Sequence, residues 1–263
     1  MRRLSPTEIR AFWTDQARTH GESPAASWSD HRVIELEIAA IGRWIDEAME
    51  VLDVGCANGY SSARYAQLAA HVVGVDYVPE MVAHAETRRT GLPGDIASRL
   101  EFGVGDVTRL DFADRAFDCV VATRVIINLG TWEDQVSGLH ECARVLRPGG
   151  LLLLSEATEQ GWRRLNALRA EWGLPAIGMP SFNLYLDQDR VVDAVRDRLK
   201  LQQISDFASS YYVVTRVLKP LLAAAAGAPV DPADPDAEVN RWASLLPPAG
   251  DYGTQKLFVF RKS

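Results

Sequence analysis

The stretch that most constrains the fold runs from Val51 to Gly59 and has the sequence VLDVGCANG. Its first four residues have the mostly apolar character of a buried strand, and a glycine turn follows before the next helix. A glycine in such a turn lets a ligand approach the backbone closely, and the start of the following helix offers free N–H groups. The stretch therefore predicts a strand, a ligand-binding turn and a helix, in that order.

The spacing of the glycines indicates which ligand suits this turn. Gly59 follows Gly55 by four residues, whereas the outer glycines of the dinucleotide fingerprint G-x-G-x-x-G lie one residue further apart. An acid, Asp53, precedes the first glycine by two residues. A carboxylate at that place suits a ligand that carries an ammonium group and would repel a pyrophosphate. The pattern disfavours a nicotinamide dinucleotide, and a tight turn without a ligand is the alternative.

The rhythm of apolar residues predicts alternating helices and strands around this turn. A capping box at Ser5–Glu8 begins the first helix, and a second helix precedes the first strand. Strands are expected at 51–54, 72–75, 100–103, 117–122 and 151–154, with helices at 58–69, 79–89 and 131–146 between them. Strands joined by helices in this order predict an α/β fold with a doubly wound, parallel sheet.

The rhythm loosens beyond Glu156. We expect a helix at 159–173, a loop rich in Gly, Pro and aromatic residues at 174–186, a helix at 187–198 and strands at 201–207 and 256–260. The proline-containing stretch 210–250 is predicted to be a long loop. Loops of this length in a compact domain are usually lids or binding loops, which makes this region a candidate for substrate recognition.

Composition and charge exclude several classes of protein. The chain has 263 residues and a net charge of −7, so the phosphate backbone of a nucleic acid would repel it. The apolar run Leu221–Ala226 is too short to cross a membrane, and the N-terminus lacks the apolar core of a signal peptide. Three cysteines without metal-ligand spacing are expected to be reduced, which predicts a cytoplasmic protein without a metal. A homo-oligomer is left open.

Two further acids stand where strands of the predicted sheet end. Asp76 closes the second strand, where a carboxylate can accept hydrogen bonds from both hydroxyls of a ribose. Asp106 follows the third strand, within Gly105-Asp106-Val107, where it can hold the amino group of an adenine. The alternatives are a solvated acid at a strand end for Asp76 and a surface turn for Asp106.

In order and spacing, residues 45–160 resemble the class I S-adenosylmethionine-dependent methyltransferases. Besides the motifs above, the resemblance rests on Ala116-Phe117-Asp118 and on Arg144-Val145-Leu146-Arg147-Pro148-Gly149-Gly150. It implies a seven-stranded sheet whose last strand runs antiparallel, and S-adenosylmethionine as cofactor. Ala57 stands where the family usually has glycine, which narrows the room beside the methionine moiety. The implied cofactor-binding residues are Trp13, Trp28, Asp53, Gly55, Cys56, Ala57, Gly59, Asp76, Tyr77, Met81, Asp106, Val107, Thr123 and Arg124.

The flanking segments resemble small-molecule methyltransferases of antibiotic-tailoring and surface-saccharide pathways. On that basis the chain is predicted to methylate an O or N atom of a small molecule in secondary metabolism. We expect one compact domain with a helical cap (1–50), a cofactor-binding core (51–160) and an acceptor-binding insertion with the closing strands (161–263). Acceptor choice is assigned to 174–252, and the candidate acceptor-binding residues are Asn128, Phe182, Tyr185, Tyr211 and Tyr212.

Glu156 is the candidate catalytic residue because it is the one acid that ends the fifth strand. It would act as a general base or anchor a cationic acceptor, and the alternative is a structural ion pair with Arg124. Arg124 itself would meet an anionic acceptor or the carboxylate of the cofactor.

Two other functions remain as alternatives. A noncatalytic protein that binds S-adenosylmethionine would share the same core. An aminopropyltransferase shares the sheet but carries paired acids after the fourth strand, where this chain has Arg124 and Asn128. Serine–histidine–aspartate catalysis is not supported, since none of the histidines falls at a strand end that faces the site.

Overall fold

A computed structural model describes residues 2–227 and 234–263. The parts of the predicted cap (1–50) and insertion (161–263) that fall on residue 1 and on 228–233 lie outside the described residues. The strands are β1 (Glu50–Val54), β2 (His71–Asp76), β3 (Leu100–Val104), β4 (Phe117–Thr123), β5 (Leu146–Ala157), β6 (Leu199–Ser205) and β7 (Gln255–Lys262). The helices are α1 (Pro6–His20), α2 (His31–Gly42), α3 (Tyr60–Tyr65), α4 (Pro79–Thr90), α5 (Gly94–Ala97), α6 (Trp132–Val145), α7 (Glu159–Glu171), α8 (Gln188–Val195), α9 (Ser209–Val213), α10 (Lys219–Ala226) and α11 (Glu238–Ala243).

The strands form a seven-stranded sheet with the order β3-β2-β1-β4-β5-β7-β6. All neighbouring pairs are parallel except those of β7, which runs antiparallel to β5 and to β6. This confirms the predicted fold class. The strand order reverses between β1 and β4, so the carboxyl ends of these strands open a crevice where ligands bind in such sheets.

Both faces of the sheet are covered, which explains why the central strands are almost wholly apolar. One face packs against α2 and α3 in a cluster that includes Val51, Val121 and Leu153 from the strands and Ile34 from α2. The other face packs against α6 and α8. Within the described residues, no helix is both long enough and apolar enough to cross a membrane.

Helix α1 begins as the capping box predicts. The Ser5 side chain accepts from the Glu8 backbone N–H, and the Glu8 carboxylate accepts from the Ser5 backbone N–H at 2.8 Å. The helix lies against α4 through a small cluster of Ala17, Val78 and Met81. This contact places α1 over the carboxyl ends of β1 and β2.

The prediction of a loop over 210–250 is wrong for its first part. Residues 209–226 form continuous helix, with a π-helical stretch at Val214–Leu218 between α9 and α10. Pro220 cannot donate to a carbonyl in the preceding turn, and the π-helical stretch accommodates that loss. The carbonyl of Arg216 accepts instead from the Arg169 guanidinium of α7. That partner lies 47 residues away along the chain, so the local sequence gave no sign of it.

A buried charged network ties this helix to the start of α2. Asp30 has a side chain that is 3% exposed, and its carboxylate accepts from Arg216 Nη2 at 2.5 Å and from Tyr211 Oη at 2.8 Å. Asn240 of α11 in turn donates to Tyr211 Oη at 3.0 Å. Residues 209–226 and α11, which fall in the region predicted to be a loop, are therefore packed into the body of the protein.

We expect Arg216→Ala to lower the free energy of unfolding by about 3–5 kcal/mol, because it leaves the Asp30 carboxylate buried and unpaired. Urea unfolding monitored by circular dichroism measures this change. The double variant Asp30→Asn/Arg216→Met removes both charges and should recover part of the loss. Arg241→Ala, which breaks only an exposed ion pair with Glu238, is the control and should shift stability by less than about 0.5 kcal/mol. An equally small loss in Arg216→Ala would contradict the structural role of the network.

Candidate active site

A cavity of about 610 Å³ opens at the carboxyl ends of β1, β2 and β4, beneath α1. A volume of this size is typical of pockets that hold a small molecule or a cofactor. Of the predicted cofactor-binding residues, it is lined by Trp13, Asp53, Gly55, Cys56, Ala57, Asp76, Tyr77, Met81, Asp106, Val107, Thr123 and Arg124. Trp28 and Gly59 do not line it.

The turn after β1 can be closed only by glycine at its first position. Gly55 has a φ of 70°, and a Cβ atom there would lie 2.8 Å from Cβ of Val125 in the segment that follows β4. Ala57 adopts a φ of 48°, a left-handed conformation that glycine adopts without strain. This accounts for the usual glycine at that position in the family.

Gly59 acts on the packing around the turn. It has a φ of 72°, and a Cβ atom would lie 2.8 Å from Phe102 Cζ and 3.0 Å from Ala85 Cβ. The residue lets the start of α3 pack closely against α4 and β3, so the prediction that it contacts the ligand is not supported by its position.

Asp76 is fixed by the backbone at the end of β2. Its Oδ1 accepts from the Val78 N–H at 2.9 Å and its Oδ2 from the Ala57 N–H at 3.0 Å. A carboxylate has further lone pairs, so both oxygens can still accept from ligand hydroxyls. Burial raises the pKa of Asp76 to about 6, which leaves it mostly ionised at neutral pH.

Asp53 and Arg124 bring opposite charges to the same cavity. Asp53 Oδ2 accepts from Ser62 Oγ at 2.6 Å, whereas Oδ1 is buried and has no hydrogen-bond partner in the described parts of the chain. Burial raises the pKa of Asp53 to about 7. Arg124 pairs with the Glu37 carboxylate, and its buried Nε likewise has no partner among the described residues. An ammonium beside Asp53 and a carboxylate beside Arg124 would satisfy these two groups.

The position of Arg124 depends on three structural elements. Its backbone has a φ of 55°, and its guanidinium lies over the Trp28 ring at 5.4 Å from the centroid. Glu37 of α2 is 1% exposed, pairs with Arg124 and accepts from Ser155 Oγ of β5 at 2.5 Å. Trp28 was predicted to bind the cofactor directly, but in the structure it supports Arg124 from outside the cavity.

The rim of the cavity near β3 is more exposed. Asp106 Oδ1 accepts from the backbone N–H of Thr108 at 2.8 Å and from its hydroxyl at 2.7 Å, which orders the turn. The Tyr77 ring lies beneath the Arg10 guanidinium of α1, 5.7 Å from the ring centroid. These side chains, with the buried Met81 and Val107, form a surface that fits a flat aromatic group.

Helix α1 covers the end of the cavity nearest β4. Trp13 Nε1 donates to Asn128 Oδ1 at 3.3 Å, and both residues line the cavity, so their assignments to the cofactor and to the acceptor stay predictions. Phe182 lies behind them, with its ring 4.5 Å from that of Phe12 and 5.7 Å from that of Trp13. The sequence predicts that Phe182 contacts the acceptor, but in the structure this side chain does not line the cavity and instead packs against Trp13, which does.

The other predicted acceptor-binding residues lie elsewhere. Tyr211 and Tyr212 are 1% and 3% exposed and sit in the core, where Tyr212 Oη accepts from Thr254 Oγ1 at 2.9 Å. Their burial follows from the helix that replaces the predicted loop. Tyr185 lines a second, smaller cavity of about 240 Å³.

Glu156 does not face the cavity either. It is fully buried, and its Oε1 accepts from the backbone N–H groups of Val125 and Ile126 at 2.9 and 2.7 Å. Burial raises the pKa of Glu156 to about 8, despite these hydrogen bonds and the nearby charge of Arg124. Glu156 thus fixes the segment Val125–Ile126, which packs against Gly55. This position does not support the predicted general base, and we assign Glu156 a positioning role instead.

Several cavity residues were not predicted from the sequence: Pro6, Thr7, Ile9 and Arg10 of α1, Ser27, Asn58, Tyr60, Ser61, Thr108, Val125, Leu129, Gly130 and Asp134. Asn58 is the most instructive, because its amide donates to the carbonyls of Gly21 at 2.8 Å and Ser23 at 2.7 Å. It ties the glycine turn to the segment after α1. The only signal in the sequence was its place in the motif, which does not indicate such a distant partner.

Comparison with known proteins agrees with this geometry. Residues 52–154 match the family described as "Methyltransferase domain". A demethylmenaquinone methyltransferase of Beutenbergia cavernae is 38% identical over 118 residues, which make up 45% of this chain and 45% of that protein. One of Renibacterium salmoninarum is 28% identical over 210 residues, covering 73% of this chain and 83% of that protein. The chain thus spans less than half the length of the first of these relatives.

Among solved structures, the phosphoethanolamine N-methyltransferase 1 of Haemonchus contortus superposes with a TM-score of 0.65 at 14% identity. The superposition covers 98% of this chain and 48% of that one, and that structure contains S-adenosylhomocysteine. Residues 52–154 therefore carry a methyltransferase domain, which agrees with the resemblance of residues 45–160 to the class I S-adenosylmethionine-dependent methyltransferases. The predicted cofactor, S-adenosylmethionine, is the cofactor of this family.

The role of Glu156 can be tested with an isosteric substitution. We expect Glu156→Gln to keep kcat within about twofold for any acceptor that the wild-type protein methylates, because the amide oxygen still accepts from both backbone N–H groups. Glu156→Ala leaves these groups unpaired and should lower the free energy of unfolding by about 1–3 kcal/mol. A fall in kcat of about a hundredfold or more in a stably folded Glu156→Gln variant would instead establish a general base.

Proposed function

We propose that this chain is an enzyme that transfers the methyl group of S-adenosylmethionine to an O or N atom of a small molecule. The observation that carries the proposal concerns two buried atoms, Asp53 Oδ1 and Arg124 Nε, which have no hydrogen-bond partner among the described residues. Their side chains line one cavity together with Asp76. These three side chains match the ammonium, the carboxylate and the ribose hydroxyls of the cofactor in charge and in hydrogen-bonding character.

The residues divide the cofactor between them along the sheet. Asp53 and Arg124 would hold the amino-acid end beside β1 and β4, and Asp76 would hold the ribose at β2. Tyr77, Asp106 and Val107 would hold the adenine near β3. When bound, the cofactor supplies an electrophilic methyl group on a sulfonium. The protein then contributes alignment of the acceptor and exclusion of water, which the cover formed by α1 and Trp13 provides.

The lining of the cavity favours an acceptor that needs little help from a base. No His, Lys or Glu side chain lines it within the part of the chain that the structure describes. Of the aspartates in its lining, Asp53, Asp76 and Asp106 are assigned to the cofactor, and Asp134 accepts from Thr131 Oγ1 at 2.8 Å. Burial raises the pKa of the Cys56 thiol well above its ordinary value, so this thiol stays protonated. A neutral amine or an acidic hydroxyl such as a phenol needs no strong base, which supports a natural-product acceptor of that kind; a saccharide-type acceptor would fit through an amino group.

A carbon acceptor is the second candidate. Both relatives compared above carry the name demethylmenaquinone methyltransferase, and an activated carbon would also suit a cavity without a strong base. A noncatalytic protein that binds the cofactor is the third possibility, and it would show cofactor affinity without turnover.

The proposal is tested by incubating the protein with methyl-labelled S-adenosylmethionine and pooled small metabolites, followed by mass spectrometry of the products. We expect label on a small molecule, and the position of the methyl group in the purified product distinguishes O, N and C. Asp76→Asn should weaken cofactor affinity by about tenfold, the scale of a charge-assisted hydrogen-bond pair. Arg241→Ala, whose side chain lies outside the cavity, is the matched control.

Labelled product in the wild-type reaction but not in a blank without protein supports methyl transfer. Binding of the cofactor with no labelled product from any pool would favour the noncatalytic alternative. Full affinity in Asp76→Asn would show that the ribose is held elsewhere.

A further inference from the structure

We infer that the second cavity binds an anionic group of the methyl acceptor, a carboxylate or a phosphate, and that the acceptor reaches it across Gly130. This inference rests on the proposed function, since the same acceptor would place its reactive atom in the first cavity. The second cavity measures about 240 Å³ and is lined by Arg3, Gly130, Thr131, Trp132, Gln135, Glu159, Leu184, Tyr185, Asp187 and Arg190.

The two cavities meet at one residue. Gly130 lines both of them, after the Asn128 and Leu129 side chains at the β4 end of the first cavity. A Cβ atom at Gly130 would meet nothing closer than Pro6 Cγ, at 4.0 Å. The space beside the Gly130 Cα is therefore open, and we place the path of the acceptor between the two cavities there.

Two arginine side chains that line the second cavity have no hydrogen-bond or ion-pair partner among the described residues. Arg190 lies over the Trp132 ring, 4.2 Å from its centroid, and its guanidinium has no hydrogen bond or ion pair with any residue that the structure describes. Arg3 likewise has no such partner in the described ranges. A guanidinium that stacks on an indole keeps its N–H edges available, and these edges suit the two oxygens of a carboxylate or phosphate.

The acids of this cavity are already engaged. Glu159 Oε2 accepts from Arg163 at 2.5 Å, and Asp187 Oδ1 accepts from the Arg190 backbone N–H at the start of α8. The Gln135 amide donates to the carbonyls of Ile126 and Leu184. Arg163 neutralises Glu159, whereas Asp187 has no ion-pair partner among the described residues, so the two arginines of the lining exceed its one uncompensated acid by one positive charge. This excess points to an anion as the occupant.

Tyr185 and Trp132 add apolar surface to the lining of the second cavity. An acceptor that fits both cavities therefore has a nucleophilic end, a short apolar or planar middle and an acidic end. Tyr185 thus stays among the proposed acceptor-binding residues, at a distance from the reacting atoms.

The inference is tested with defined probes in place of the unidentified acceptor. Acetate, inorganic phosphate, phenylbutyrate and neutral phenylbutanol are titrated into the isotope-labelled protein saturated with S-adenosylhomocysteine, and NMR shifts give the affinities. Acetate and phosphate distinguish the two sources of an anionic group. We expect phenylbutyrate to bind about tenfold more tightly than phenylbutanol, with shifts at Trp132 and Tyr185.

Three variants complete the test. Arg190→Ala should weaken phenylbutyrate about tenfold, whereas Arg196→Ala, an exposed arginine just beyond α8 that lines neither cavity, should not change it. Gly130→Leu fills the boundary at a position that needs no left-handed backbone. It should cancel the advantage of phenylbutyrate over acetate while acetate still binds.

Equal affinities for phenylbutyrate and phenylbutanol, or an unchanged affinity in Arg190→Ala, would overturn the anion site. An undiminished advantage of phenylbutyrate in Gly130→Leu would overturn the passage between the cavities. A separate titration of the wild-type protein with S-adenosylhomocysteine keeps the two proposals apart. If that ligand does not bind, the proposed function fails, whatever the anionic probes show.

Discussion

The close approach of two backbone segments, at Gly55 and Val125, is the constraint on which the rest of the site depends. A β-carbon at Gly55 would collide with Val125, so the turn after β1 and the segment after β4 meet only because this residue is glycine. Glu156 fixes the second segment by accepting from two of its N–H groups. The same segment carries Arg124 and Asn128, so the wall of the cavity is set by an acid that does not line it.

A second set of contacts connects this wall to the covering helices. The buried Glu37 joins Arg124 to Ser155, and the Asn58 amide joins the glycine turn to the segment after α1. Trp13 and Asn128 then close the β4 end of the cavity. Burial of charge is costly unless it is compensated, and the free Asp53 oxygen and Arg124 Nε are left for a ligand to compensate. Under the proposed function, the zwitterionic end of the cofactor would supply this compensation.

The sequence was most informative where function depends on neighbouring residues. The sequence predicted that three features lie close together: the turn from Asp53 to Gly59, the acid Asp76 and the acid Asp106. They do so because the strand order brings the carboxyl ends of β1, β2 and β3 together. The sequence was least informative where the conformation of a segment depends on partners that are distant along the chain. Arg169 of α7 donates to the carbonyl of Arg216, in the turn before Pro220. The segment predicted to be a loop is therefore a helix, and Tyr211 on this helix is buried. Glu156 was misjudged because its place at a strand end does not reveal which neighbour its carboxylate contacts.

We propose that one cavity recognises both the nucleoside and the charged amino-acid end of S-adenosylmethionine. Calorimetric titration of the wild-type protein with S-adenosylhomocysteine, methylthioadenosine and NAD tests it most directly, because methylthioadenosine lacks the amino-acid end. The account predicts micromolar-scale binding of S-adenosylhomocysteine, binding of methylthioadenosine weaker by about a hundredfold, and no binding of NAD. Equal affinity for the first two ligands would contradict the roles of Asp53 and Arg124. Binding of NAD alone would contradict the whole assignment.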